Sequence, residues 1–145
     1  MKKLKYLLIL AALFMPTLLV AQIEMDDDAE PDEIQTDEPL QFFQVREKAQ
    51  YIGGDDSLRS FIAHNMVMPD SVIAGTVVVG FVVERDGSVS NVKIHPYTKM
   101  KYTPQMAKAC TDVVKKTSGH WTPAKQRDKL VRMYYSLPIR FNTEN

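Results

Sequence analysis

Cysteine, metal-binding patterns and catalytic motifs are scarce in this sequence. Cys110 is the only cysteine among 145 residues, so no disulfide can form within the chain. His64, His95 and His120 lie far apart and have no cysteine or histidine companion at the spacing of a metal site. No phosphate-binding glycine loop or Gly-x-Ser-x-Gly elbow occurs. The chain contains both cysteine and histidine, but nothing else indicates a cysteine–histidine nucleophile. We therefore expect neither an enzyme nor a metal or other cofactor.

Acidic residues are missing from the first 21 residues of the chain. Three lysines at the start precede an uncharged run, Leu7–Val20, and Ala21 then offers a small residue for cleavage. This layout is typical of a secretory signal peptide. The alternative is an uncleaved anchor, but the run is shorter than the ~20 apolar residues that a membrane-spanning helix needs. We predict an export signal over residues 1–21, either cleaved or kept as a short signal anchor.

Basic residues are missing from the next segment, residues 22–45, which contains nine acidic residues. Its charge, its low hydrophobicity and its two prolines predict a disordered acidic linker. Residues 46–145 contain 15 Lys and Arg against nine Asp and Glu, and their length suits one small domain. Export and the neighbouring acidic linker argue against nucleic acid as a partner of this basic domain, so we expect none.

Two helices are predicted in the domain. The acids and the hydroxyl of Asp55–Ser57 suit a helix N-terminus, and apolar residues recur after them at helical spacing. Thr103 and Pro104 mark the start of the second helix, and Gly119 marks its end. An apolar stripe that includes Cys110 predicts a buried face for this second helix.

Three strands are also predicted. Thr76–Glu84 is rich in β-branched residues, Asp86-Gly87 predicts a two-residue hairpin loop, and irregular apolar spacing in the return strand predicts a bulge near Ser90. Val131–Phe141 alternates apolar and polar residues, and Pro138, which lacks an N–H, indicates that part of this strand is at an edge. The simplest arrangement is an α+β fold with a three-stranded antiparallel sheet and two helices on one face.

Five short motifs of the domain resemble those of TonB C-terminal domains and occur in the same order. They are Tyr51-Ile52-Gly53-Gly54-Asp55, Asn65 with Met68-Pro69, the hairpin Phe81-Val82-Val83-Glu84-Arg85-Asp86-Gly87-Ser88-Val89, Trp121-Thr122-Pro123-Ala124-Lys125-Gln126 and the closing Tyr134-Tyr135-Ser136-Leu137-Pro138-Ile139-Arg140-Phe141. Together they cover about residues 51–142. The resemblance implies the TonB C-terminal fold for residues 46–145.

The resemblance also implies a function. TonB C-terminal domains connect the inner membrane to TonB-dependent outer-membrane receptors, and they capture an extended receptor segment as an added strand. In this mode backbone hydrogen bonds supply most of the affinity. It follows from the resemblance that the protein lies in the periplasm and binds a receptor segment along its closing strand. The partner-binding residues would be Arg132, Met133, Tyr134, Tyr135, Ser136, Leu137 and Arg140.

Two alternatives to a cleaved periplasmic binding protein stay open. An uncleaved N-terminal segment would anchor a short energy transducer in the inner membrane, with its domain in the periplasm, and only then would the protein contact a membrane. The energised members of the family have a longer spacer and a polar face on the anchor, which this sequence lacks. The second alternative is an envelope structural or regulatory module that uses the fold outside transport. A homodimer stays open as well.

Overall fold

The computed structural model describes residues 37–143. The chain divides into two units, Met1–Ile34 and Gln35–Asn145, and all described residues belong to the second unit. The predicted export signal and most of the predicted acidic linker lie outside the described residues. Within the described part, neither helix has the length and the hydropathy to cross a membrane.

The described chain folds into two helices and seven strands, as an α+β protein. The helices are α1, Gly54–Asn65, and α2, Pro104–Lys116. The strands are β1, Gln50–Tyr51; β2, Gly75–Val83; β3, Val89–Ile94; β4, Trp121–Thr122; β5, Ala124–Gln126; β6, Lys129–Val131; and β7, Met133–Phe141. Strand β2 lies between β3 and β7 in an antiparallel three-stranded sheet, which confirms the predicted fold class.

Two small strand pairs were not predicted from the sequence. Strand β1 pairs with β4, and β5 pairs with β6 in a tight hairpin. The loop of this hairpin consists of Arg127 and Asp128, both of which have positive φ, as a two-residue primed turn requires. The predicted third strand is therefore divided, because β6 pairs with β5 whereas β7 pairs with β2, and the break falls at Arg132.

The β2–β3 hairpin is confirmed, but its predicted two-residue loop is wrong. The N–H of Glu84 donates to the carbonyl of Ser88 at 2.8 Å, so three residues, Arg85 to Gly87, form the loop. The N–H of Gly87 donates to the carbonyl of Glu84, and of the three loop residues only Gly87 has positive φ. The Asp86 carboxylate accepts the N–H of Ser88 at 2.9 Å, which favours a type I turn followed by a left-handed glycine.

The predicted bulge in β3 is confirmed next to Ser90. The register of the β2–β3 pair shifts between Gly80 and Val82, so that two residues, Asn91 and Val92, lie opposite Phe81. Asn91 has a φ of +49°, a conformation that asparagine tolerates better than most residues.

Both helices begin where the sequence predicts. The Thr103 hydroxyl accepts the N–H of Met106 at 3.1 Å and caps α2, with Pro104 in the first turn. Helix α2 packs on β2 and β3 and buries five side chains, whereas α1 packs on β1 and α2 and buries only Leu58. Helix α2 therefore provides most of the helical side of the core.

The core lies between α2 and one face of the sheet. Alternate residues of β2, from Val77 to Val83, are at most 1% exposed. Trp121 is buried, and its Nε1–H donates to the Thr117 hydroxyl at 2.9 Å, so the polar atom of the indole is satisfied inside the core. Trp121 is therefore a structural residue of the core.

Residues 40–45, predicted to be part of the acidic linker, pack on this domain. Leu40 forms a parallel bridge with Met133, a short 3-10 helix follows at Phe42–Gln44, and Val45 is buried in the core. Acidic composition predicted disorder for the whole segment. The apolar side chains of Leu40 and Val45 instead pack on the domain. The average composition of residues 22–45 does not indicate this, because acidic residues dominate it.

Candidate functional site: the outer edge of β7

Strand β7 has an exposed face and a buried face, as its alternating sequence predicts. Tyr134, Ser136 and Arg140 are exposed on the outer face of the sheet. Met133 is fully buried in the core, and Tyr135 and Leu137 are half-buried beside it. Of the predicted partner-binding residues in β7, the structure therefore places three on the outer face and three on the core face.

The backbone of β7 is paired along only one side. Strand β2 is its only neighbour in the sheet, so the opposite side, here called the outer edge, has no full strand along it in the described part of the chain. At the start of β7 the Leu40 N–H donates to the Arg132 carbonyl, and the Tyr134 N–H donates to the Leu40 carbonyl, each at 2.9 Å. The backbone groups of Tyr134 therefore point away from β2.

The direction of the remaining backbone groups follows from this contact. Backbone groups of successive residues in a strand point to opposite sides, so Ser136, Pro138 and Arg140 point to the outer edge with Tyr134. Pro138 consequently loses no hydrogen bond to β2, which explains why a proline is tolerated within a long strand. The outer edge from Ser136 onwards presents two N–H groups, of Ser136 and Arg140, and the carbonyls of all three residues.

Arg132 is held by the Glu84 carboxylate and the Asp37 backbone at the beginning of the outer edge. Its Nε and Nη2 donate to the two carboxylate oxygens of Glu84 at 2.7 and 3.0 Å, and its Nη1 donates to the carbonyl of Asp37. These Arg132 hydrogen bonds, and one from Ser90, keep the pKa of Glu84 below its usual range against the opposing effect of burial. Both members of the ion pair are about a fifth exposed, so Arg132 stabilises this end of β7.

A groove crosses the outer face of the sheet next to this edge. Its volume is about 960 Å³, and Tyr134 and Ser136 form one side of it. Phe42 and Tyr97, which are 53% and 78% exposed, lie along it with Lys93. The groove combines aromatic surfaces with hydrogen-bonding groups, a composition that is common at binding surfaces.

Side chains on the buried face of β7 pack against aromatic residues of the core. The ring of Tyr135 contacts the rings of Trp121 and Phe81, with centroids 4.9 and 5.3 Å apart. Burial, and secondarily the charge of Asp55, raises the pKa of the Tyr135 hydroxyl. These ring contacts fix the position of β7, so its edge is presented by a rigid part of the fold.

Sequence reasoning missed the residues that precede the domain. Asp37, Leu40 and Phe42 contact the start of β7 or line the groove. The run Leu40-Gln41-Phe42-Phe43, directly after Pro39, contains no acidic residue and could have indicated that this part of the segment packs on the domain. Among residues 37–143, no cluster of side chains suitable for holding a metal ion occurs.

Comparisons with known proteins identify a family and a similar solved structure. The model of the family described as Gram-negative bacterial TonB protein C-terminal matches residues 70–143. The NMR solution structure of the Helicobacter pylori TonB C-terminal domain is 19% identical, with a TM-score of 0.40, and the match covers 60% of this chain and 79% of that chain. No curated protein matches.

Proposed function

Because this chain belongs to the family of Gram-negative bacterial TonB C-terminal domains, we propose that it is an exported periplasmic protein that binds extended segments of partner proteins along β7. Membership of this family supports a role in envelope transport. The proposed partner is a periplasmic segment of a TonB-dependent outer-membrane receptor. The proposed mode is strand addition, in which the partner extends the sheet in the order β3–β2–β7–partner.

The observation that carries this proposal is the unpaired outer edge of β7. From Ser136 to Arg140 the edge presents N–H and carbonyl groups, and no described residue pairs with them. An unpaired edge is a template for another extended chain. Pro138 removes one donor from the edge, which limits promiscuous pairing while leaving the sheet intact.

The expected interaction is weak and reversible. Net hydrogen-bond contributions are about 0.5–1.5 kcal/mol each, so four backbone bonds contribute about 2–6 kcal/mol before the cost of ordering the partner. Side chains of the added strand would add to this by contacting the groove beside Tyr134 and Ser136. Such an affinity suits a contact that forms and releases repeatedly during transport.

A substitution at Ser136 tests the proposal. Ser136→Pro removes one outward N–H and leaves the bonds to β2 in place, as Pro138 already does. We expect it to weaken binding of synthetic peptides that copy the N-terminal periplasmic segments of outer-membrane receptors from the same genome by about tenfold. Ser136→Ala keeps the N–H and is the matched control, with an expected change below twofold. Equal affinities of the two variants would contradict strand addition at this position.

A further inference from the structure

The start of the outer edge of β7 is occupied by the chain's own segment Asp37–Gln41, here called the strap. Leu40 makes two backbone hydrogen bonds there, one to the Arg132 carbonyl and one from the Tyr134 N–H, each 2.9 Å long. These are the hydrogen bonds that an added strand would make at this position. The strap therefore takes the place of a partner over the first residues of the edge.

Side chains hold both ends of the strap. At its beginning, Asp37 pairs with Arg85 at 3.4 Å, and its carbonyl accepts a hydrogen bond from Arg132. Further along, the half-buried side chain of Leu40 packs against the hydrophobic core. The Asp37–Arg85 pair is largely exposed, so this ion pair adds little to the attachment.

The chain leaves the edge directly after the strap. The 3-10 helix Phe42–Gln44 turns it away, and Val45 is buried. Beyond it, the N–H of Arg46 donates to the Gln126 side chain at 2.9 Å, and Glu47 bridges to Lys125. These contacts fix the chain after residue 44 independently of the strap, so the strap cannot slide along β7 without breaking them.

We propose that the strap is an intramolecular competitor for the partner-binding edge, and that a partner must displace Leu40 to pair with the whole of β7. This inference rests on the proposed function and concerns the regulation of the same site. With the strap in place, only the stretch from Ser136 to Arg140 is open, and it has two N–H donors because Pro138 has none. With the strap displaced, the Tyr134 N–H and the Arg132 carbonyl also become available to a partner.

The tether makes the strap an effective competitor. A segment joined to its site by a short linker has an effective concentration in the millimolar range, without any additional contact. A free partner therefore binds more weakly than its contacts alone allow, and any change that detaches the strap should tighten partner binding. Conversely, a strap that cannot detach should restrict a partner to the short open stretch.

A reversible lock on the strap provides the first test. Leu40 and Met133 are bridge partners, so Leu40→Cys with Met133→Cys places two thiols on adjacent backbones within the Cα range of a disulfide. The native Cys110 is buried, and burial raises the pKa of its thiol to about 11, so it does not compete. The reduced form of the same variant is the control, because it contains the same core substitutions.

The measurement is fluorescence anisotropy with labelled receptor peptides of the kind described above. We expect the oxidised lock to bind at least tenfold more weakly than the reduced form. Equal affinities of the two forms would overturn the strap proposal and leave strand addition standing. Absence of binding in every form would overturn the proposed function and the strap proposal with it.

A full-length Leu40→Pro variant gives the second test and avoids any core substitution at Met133. Proline removes the N–H that donates to Arg132, so the strap should detach more readily and the same peptides should bind about tenfold more tightly. Phe43→Ala, at a side chain that is 83% exposed, is the matched control and should leave the affinity unchanged. An affinity of the Leu40→Pro variant equal to or below that of the wild type would contradict displacement of the strap.

Discussion

Gly87 lies so close to Trp121 that a Cβ atom at Gly87 would be 2.3 Å from the Trp121 carbonyl oxygen. The N–H of Gly119 also donates to the Gly87 carbonyl at 3.0 Å, so the hairpin loop and the segment after α2 are joined through their backbones. Position 87 therefore requires a residue that adopts a left-handed backbone conformation and has no Cβ atom. The first follows from the turn type, and the second is a long-range property of the fold.

This contact predicts an unusually large effect of a small substitution. Gly87→Ala should lower the free energy of unfolding by about 3 kcal/mol, because backbone strain and a clash with a carbonyl group act together. Gly119→Ala is the matched control, since Gly119 has a φ of +85° but no atom within 4 Å of the added Cβ. It should cost about 1 kcal/mol. Urea denaturation of both variants measures the difference, and equal costs would show that the loop can move away from Trp121.

Trp121 should behave as a core residue in stability and in fluorescence. Trp121→Ala should destabilise the domain by about 3–5 kcal/mol, since it creates a large cavity and leaves the Thr117 hydroxyl without its donor. In the native protein, the tryptophan emission should resist quenching by acrylamide. Quenching as strong as that of a free tryptophan would place the ring at the surface and contradict the structure.

The Glu84–Arg132 ion pair should make stability depend on pH in the acidic range. The pKa of Glu84 is lowered in the folded state, so its contribution is fully present above its ordinary value near 4.5 and is lost as the pH falls through the lower, folded value. Glu84→Gln should therefore be less stable than the wild type at pH 7, and the difference should shrink as the pH falls to 3. A difference independent of pH would exclude a contribution of the carboxylate charge.

Substitutions in the loop of the β5–β6 hairpin should increase the stability of the domain. Arg127 and Asp128 both have positive φ, which costs about 1–2 kcal/mol for a residue with a Cβ and less for asparagine or glycine. The double substitution Arg127→Asn with Asp128→Gly matches the preferred primed turn and should stabilise the domain by about 1 kcal/mol. A denaturation midpoint at or below that of the wild type would show that the loop side chains have a structural role.

Pro138 should limit the affinity of the edge. Pro138→Ala adds one outward N–H between those of Ser136 and Arg140, so receptor peptides should bind about two- to tenfold more tightly. The variant should also self-associate more readily, because its edge is a better template. Analytical ultracentrifugation and peptide titration measure the two effects. Weaker peptide binding by the folded variant would show that the proline ring itself contacts the partner.

The sequence predicted those parts of the fold that local patterns determine. Such patterns depend on neighbouring residues. Examples are the alternation in β7, the Thr103 cap followed by Pro104, and the glycine at position 87. The pairing of Leu40 with β7 depends on a residue more than 90 positions away, and no local pattern indicates it. Pro138 indicated an edge correctly, but which backbone groups point outward followed only from the hydrogen bonds of Leu40.

Amide hydrogen exchange tests strand addition at β7 directly, because it reports on each N–H donor of the outer edge separately. At a saturating concentration of a receptor peptide, the Ser136 and Arg140 amides should exchange at least tenfold more slowly than in the free protein. The amides of Tyr135 and Leu137, which point to β2, should change little and serve as internal controls. Unchanged exchange at Ser136 and Arg140 with the peptide bound would contradict partner binding by strand addition to β7.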